Sequence, residues 1–186
     1  MKGQDGSEKT LEQFSKLSES EQEKFIEYIN DPAVNKELLD AMASSKGEKV
    51  SLYGGDIVVR QKSITPGEIS IRQADYVVYQ VATSTVFGVD VVQIRESVEY
   101  RVKGTPGNQT ISEILNGGGR VDKYWVPLGK MDVKDDKGYV SSGNRAVQHS
   151  VFTTSFVHPK LGLTVNTNDL TVYGNIKGQP DDWNFK

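Results

Sequence analysis

Val92-Gln93-Ile94-Arg95-Glu96-Ser97-Val98-Glu99-Tyr100-Arg101-Val102-Lys103 alternates apolar and polar side chains with a period of two. Val92, Ile94, Val98, Tyr100 and Val102 fall on one side, and Arg95, Ser97, Glu99, Arg101 and Lys103 on the other. Successive side chains of a strand point to opposite faces, so this is a β-strand with one dry face and one wet face. Glu96 interrupts the dry face and predicts a bend, a bulge or a strand end at that point.

The same period extends outward in both directions. Upstream, Val50/Leu52 and Ile57/Val59 flank the turn-forming Gly54-Gly55-Asp56, and Pro66-Gly67 separates them from Ile69/Ile71 and Val77/Tyr79/Val81. Downstream, Thr105-Pro106-Gly107-Asn108 predicts a turn, and Gly117-Gly118-Gly119 a flexible connection or loop tip. Residues 111–115 between them fit strand or helix. Further strands are predicted over 121–126, 139–141, 145–157, 161–165 and 170–173. With no helix between strands, the pattern predicts a mainly β protein, an antiparallel β-sandwich or flattened barrel.

The period changes once, near Gly47. Before it the apolar residues recur at helical spacing. Thr10 with Gln13 predicts the cap of a first helix carrying Leu11, Phe14 and Leu17. Ser18 with Glu21 caps a second carrying Phe25, Ile26 and Ile29, and Asp31-Pro32 starts a third carrying Val34, Leu38, Leu39 and Met42. Lys46-Gly47 predicts its stop. The chain therefore divides into an acidic helical segment, 1–47, and a β-sandwich domain, 48–186. The first holds six basic against ten acidic residues, net −4, and carries the acidity of a chain whose overall charge is −3. Short helices with narrow apolar stripes are marginal alone, so these are expected to pack on the sheets.

Composition excludes several classes of chemistry. There is no cysteine, hence no disulfide, thiolate nucleophile or cysteine-held metal. The net negative charge with scattered Lys and Arg argues against a nucleic-acid partner, and no apolar run approaches the roughly 20 residues of a membrane-crossing helix. Residues 117–119 lack the Lys-Ser/Thr and the strand-to-helix change of a phosphate loop, so no cofactor is expected. His149 and His158 show no metal-ligand spacing, and a third ligand would have to fold in from Asp56, Asp75 or Asp169. Asp132, Asp135 and Asp136, in the run ending at Gly138, are the nearest approach to a cation loop. They lack the alternating oxygens of an EF-hand and read better as a plain hairpin turn.

Aromatic residues supply the remaining candidates. Adjacent Tyr124 and Trp125 must face opposite ways in a strand, which exposes one of them, and Tyr173 lies in a late strand. Exposed planar rings can stack on sugars, so Tyr124, Trp125 and Tyr173 are the candidate binding residues for a carbohydrate or protein partner. Trp183, near the tail, is expected to pin the C-terminus to the body.

The run Leu17-Ser18-Glu19-Ser20-Glu21-Gln22-Glu23-Lys24-Phe25, the segment Tyr28-Ile29-Asn30-Asp31-Pro32 and the Thr/Val strands after Tyr76 resemble the small uncharacterised exported proteins of Bacillus-type Gram-positive bacteria. The resemblance implies export and a non-catalytic β-sandwich, and it carries no functional residue. The polar start, Met1 to Ser7, agrees with a mature secreted chain whose signal has been removed. The expected function is an extracellular binding or interaction module without enzymatic activity. Two competing readings are a membrane-acting β-rich toxin, from the Ser/Thr-rich alternation over 150–157, and a carboxylate-based glycoside hydrolase, which needs only two suitably spaced Asp or Glu.

Overall fold

The computed structural model describes residues 5–45, 48–64, 73–127, 129–158 and 162–185. Among these, helices α1 (Asp5–Ser15), α2 (Glu19–Asn30) and α3 (Pro32–Ser44) precede ten strands. These are β1 (Val50–Leu52), β2 (Ile57–Ile64), β3 (Gln73–Val86), β4 (Val89–Lys103), β5 (Thr110–Tyr124), β6 (Gly129–Asp135), β7 (Tyr139–Val140), β8 (Ala146–His158), β9 (Gly162–Gly174) and β10 (Pro180–Phe185). The first five form one antiparallel sheet in the order β1-β2-β3-β4-β5. The second sheet runs β10-β9-β8-β6, with β7 also paired to β8. The architecture is a mainly β sandwich of two antiparallel sheets with short N-terminal helices packed on it.

The helix starts follow their capping chemistry. The Ser18 side chain accepts from Glu21 N–H, while Glu21 Oε2 accepts from Ser18 N–H at 2.9 Å. Asp31 Oδ1 accepts from Ala33 N–H at 2.8 Å with Pro32 opening α3. Helix α1 instead begins at Asp5, ahead of the expected cap. Thr10 is buried inside it, and its Oγ1 accepts from Lys123 Nζ at 2.9 Å, so the hydroxyl serves a tertiary contact.

Burial of the helical stripes holds the segment to the sandwich. Phe25, Val34, Leu38, Leu39 and Met42 share one core with Ile57, Val59, Val86, Val91, Phe152 and Leu170 from both sheets. Leu11 and Ile26 lie outside it, facing solvent.

A second apolar core, built on Tyr76, Val78, Val98, Tyr100, Val102, Ala146 and Val172, lies toward the other end of the sandwich. Between the two runs a buried polar layer. On β4, Ile94 belongs to the first core and Val98 to the second, with Glu96 between them; on β3, Ala82 and Val78 flank Gln80 in the same way. Gln80 and Glu96 are register partners, and Gln148 and Ser150 continue the layer on β8. Glu96 therefore does not bend or end β4; the strand runs unbroken through it with its inward alternation intact.

Other expectations change. Residues 117–119 are no loop tip but the middle of β5, and residues 111–115 are its start. The run from Asp132 to Gly138 is not a plain turn, because Asp132 and Asp135 belong to β6 and residues 136–138 alone connect to β7. The pieces expected at 161–165 and 170–173 are one strand, β9, since the intervening Asn and Thr residues pair with Thr153 and Thr154 on β8. The readings at Pro66-Gly67, at Ile69/Ile71, at Lys46-Gly47 and for the side chains of His158 and Trp183 lie outside the described residues.

Candidate functional site

The polar layer meets the surface where β5, the edge of the first sheet, lies against β6. Glu96, Ser97 and Val98 pair with Gly119, Gly118 and Gly117 respectively. The glycines are required by close approach. A Cβ on Gly117 would lie 2.6 Å from Gln148 Oε1, and one on Gly118 2.6 Å from Asp135 Oδ2. On Gly119 it would lie 2.7 Å from Phe152 Cζ, 2.8 Å from Val133 Cγ1 and 2.9 Å from Glu96 Oε2. Side chains of β6 and β8 thus press directly on the β5 backbone, which a flexible tip would not permit.

Asp135 Oδ1 accepts from Gly119 N–H at 2.8 Å, satisfying an edge donor of β5. Ser150 Oγ lies 2.7 Å from the same Oδ1 and 2.8 Å from Glu96 Oε1. Glu96 is fully buried and its Oε2 has no hydrogen-bond partner among the described residues. Burial pushes its carboxyl up to about 8, the Ser150 hydrogen bond opposes this, and the Asp135 charge adds to it.

On the solvent side of the same glycines is an open cleft of about 310 Å³. Residues 117–119 form its floor, and Tyr79, Ser97, Glu99, Asn116, Arg120 and Asp135 its walls. The Arg95 guanidinium sits 5.7 Å from the centre of the Tyr79 ring and pairs with Asp122 at 2.7 Å; Arg120 pairs with the same carboxylate at 2.6 Å. Among the described residues Glu99 makes no ion pair, and the Asn116 amide nitrogen donates to nothing. The cleft therefore presents a carboxylate, an amide donor and the Tyr79 ring.

The aromatic candidates are not brought together. Tyr124, half-buried, borders a small apolar cavity with Leu39, Thr154, Phe156 and Val165, and burial pushes its hydroxyl up to about 12. Trp125 follows it and is 37% exposed, with its backbone N–H donating to Val91 O. Tyr173 lies opposite Val147, whereas Gly129, packed against the Tyr124 ring, lies opposite Phe156. Nine residues of strand, roughly 30 Å, separate those two positions on β8, so Tyr124 and Tyr173 belong to opposite ends of the sandwich.

The three carboxylates of the candidate cation loop also part company. Asp132 pairs outward with Lys130 at 2.6 Å, Asp135 turns in to Ser150, and Asp136 accepts from His149 Nδ1 at 2.7 Å. His149 Nε2 lies 3.6 Å from Asp169, so each ring nitrogen faces a carboxylate on the outer face of the second sheet. Among the described residues no three His, Cys, Asp or Glu are grouped to hold a metal.

Glu96 and the glycine run were the residues that sequence reasoning missed as a site. The signal was present in both: an acid on the dry face of the longest strand, and three glycines in a segment of strand length. No family model matches the chain, and neither a curated protein nor a solved structure is similar to it.

Proposed function

We propose that this protein is an exported, non-catalytic binding module that takes a glycan in the cleft on β5. The observation that carries the reading is one open cleft that holds unused polar groups, Glu99 and the Asn116 amide, beside the Tyr79 ring. Sugars are held by this mixture of an apolar ring and fixed hydrogen-bonding groups. Glu96 is not a candidate hydrolytic acid: it is sealed beneath Gly119 and shares a hydroxyl with Asp135, so it has no path to a glycosidic oxygen. A glycan array followed by NMR titration tests the proposal. Glu99→Ala with Asn116→Ala should weaken binding at least tenfold, and Trp125→Ala should leave it unchanged. Turnover of any bound glycan would replace the module with an enzyme.

One observation favours the membrane-acting reading. Val157, Leu163 and Val165 are 51%, 66% and 56% exposed where β8 ends and β9 begins. An apolar hairpin end is what a strand pair entering lipid would need. Dye release from liposomes at low protein concentration, abolished by Leu163→Asp, would put this reading first.

A further inference from the structure

We propose that Glu96 is a buried carboxylic acid whose proton is shared along a chain through Ser150 to Asp135, and that loss of this proton opens the seam between β5 and β6. A hydroxyl carries one hydrogen, yet Ser150 Oγ lies within hydrogen-bond distance of two carboxyl oxygens, at 2.8 Å to Glu96 and 2.7 Å to Asp135. If both acids were ionised, one of these contacts would be a bare oxygen–oxygen approach. A second proton must therefore lie on an acid. Glu96 is the one that holds it, because it is fully buried, whereas Asp135 reaches the cleft and already accepts from Gly119 N–H. The chain then reads Glu96 O–H to Ser150 Oγ, and Ser150 O–H to Asp135 Oδ1.

The other Glu96 oxygen, Oε2, borders the same space beside Gly119 as the Phe152 ring and a Val133 methyl group, and among the described residues no three His, Cys, Asp or Glu are grouped to hold a metal ion. From the elements packed round it, Glu96 meets Gln80 on β3, Gly119 on β5, Val133 and Asp135 on β6, and Ser150 and Phe152 on β8; Asp135 is the charged one. Burial first, and then the Asp135 charge, hold the proton on Glu96 up to about pH 8.

Ionisation of Glu96 puts two anions on one hydroxyl. Ser150 can then donate to only one of them. Asp135, the acid with access to solvent, turns outward and releases Gly119 N–H, so the floor of the cleft loosens at residues 117–119. This device is independent of what the cleft binds.

The test is an NMR pH titration of the full chain, following the Glu96 side-chain carboxyl carbon and the Gly119 amide. The Glu96 carbon should titrate with a midpoint near pH 8, the Gly119 amide should move with the same midpoint, and Asp135→Asn should lower that midpoint. If Asp135→Asn does not fold, the two wild-type signals decide alone. A Glu96 carbon titrating near the ordinary value of 4.5, or a Gly119 amide indifferent to the Glu96 midpoint, overturns the proposal.

Discussion

The Tyr28 hydroxyl donates to Asp56 Oδ2 at 2.9 Å, tying the end of α2 to the turn that enters β2. Around that bond the Tyr28 ring packs on Tyr53, at 5.2 Å between centres, and stacks with Phe87 at 6.1 Å. Further along, Gln61 Nε2 donates to Met42 O at 2.6 Å, and Lys123 reaches Thr10. The helical segment is thus fixed to strands β2 and β5 by polar bonds as well as by its apolar stripe.

Removing that segment should expose the first core. Deletion of residues 1–46 is expected to lower the thermal midpoint and expose a dye-binding apolar surface around Ile57, Val59 and Val91. Met42→Ala alone, at a fully buried site, should cost about 2–5 kcal/mol in chemical denaturation. Unchanged melting of the truncated protein would make the helices an independent appendage.

Stability should fall as the pH is raised from weakly acidic toward alkaline. The Glu96 carboxyl is raised from 4.5 to about 8, so between those values the folded chain holds a proton that the unfolded chain has released. Its contribution is fully present below about pH 4.5 and is lost as the pH rises through 8, with a slope of up to about 1.4 kcal/mol per pH unit. Denaturant midpoints measured across that window should flatten in Glu96→Gln, which keeps an amide to meet Ser150 and removes the titration. Asp75, which Arg101 holds below the ordinary carboxylate range, acts in the opposite sense and only at more acidic pH.

Gly119→Ala should destabilise the protein by about 1–3 kcal/mol, because the new methyl would press on Phe152, Val133 and Glu96. Gly143→Ala provides the contrast: its nearest neighbour, Ser141 Oγ, is 3.9 Å away, and the change should be within about 0.5 kcal/mol of neutral. Equal effects in thermal melts would show that the glycine run does not serve close approach.

Tyr100 is fully buried and its hydroxyl donates to Asn175 O at 2.7 Å. Tyr100→Phe removes one of two donors to that carbonyl, which also accepts from Gly178 N–H at 3.0 Å, and should cost about 1 kcal/mol. Chemical denaturation of the variant checks this, with a neutral result pointing to replacement by water.

Period and capping chemistry are local properties, and they alone specified the mainly β sandwich, the single change to helix before Gly47, and the starts of α2 at Ser18 and α3 at Asp31. Alternation over residues 92–103 even placed Glu96 among the inward positions. What it could not convey is that an acid can stay there. That depends on Ser150, 54 residues away, and on three glycines in β5 that let β6 and β8 come close. Read alone, three consecutive glycines signal freedom; folded, they are fixed in a strand by the side chains that need their missing Cβ. Tyr124 and Tyr173 show the same limit, since each is aromatic and near a strand end, and only the register of β8 with β6 and β9 separates them along the sandwich. Pairing between distant segments sets which residues meet, and no local pattern carries that information.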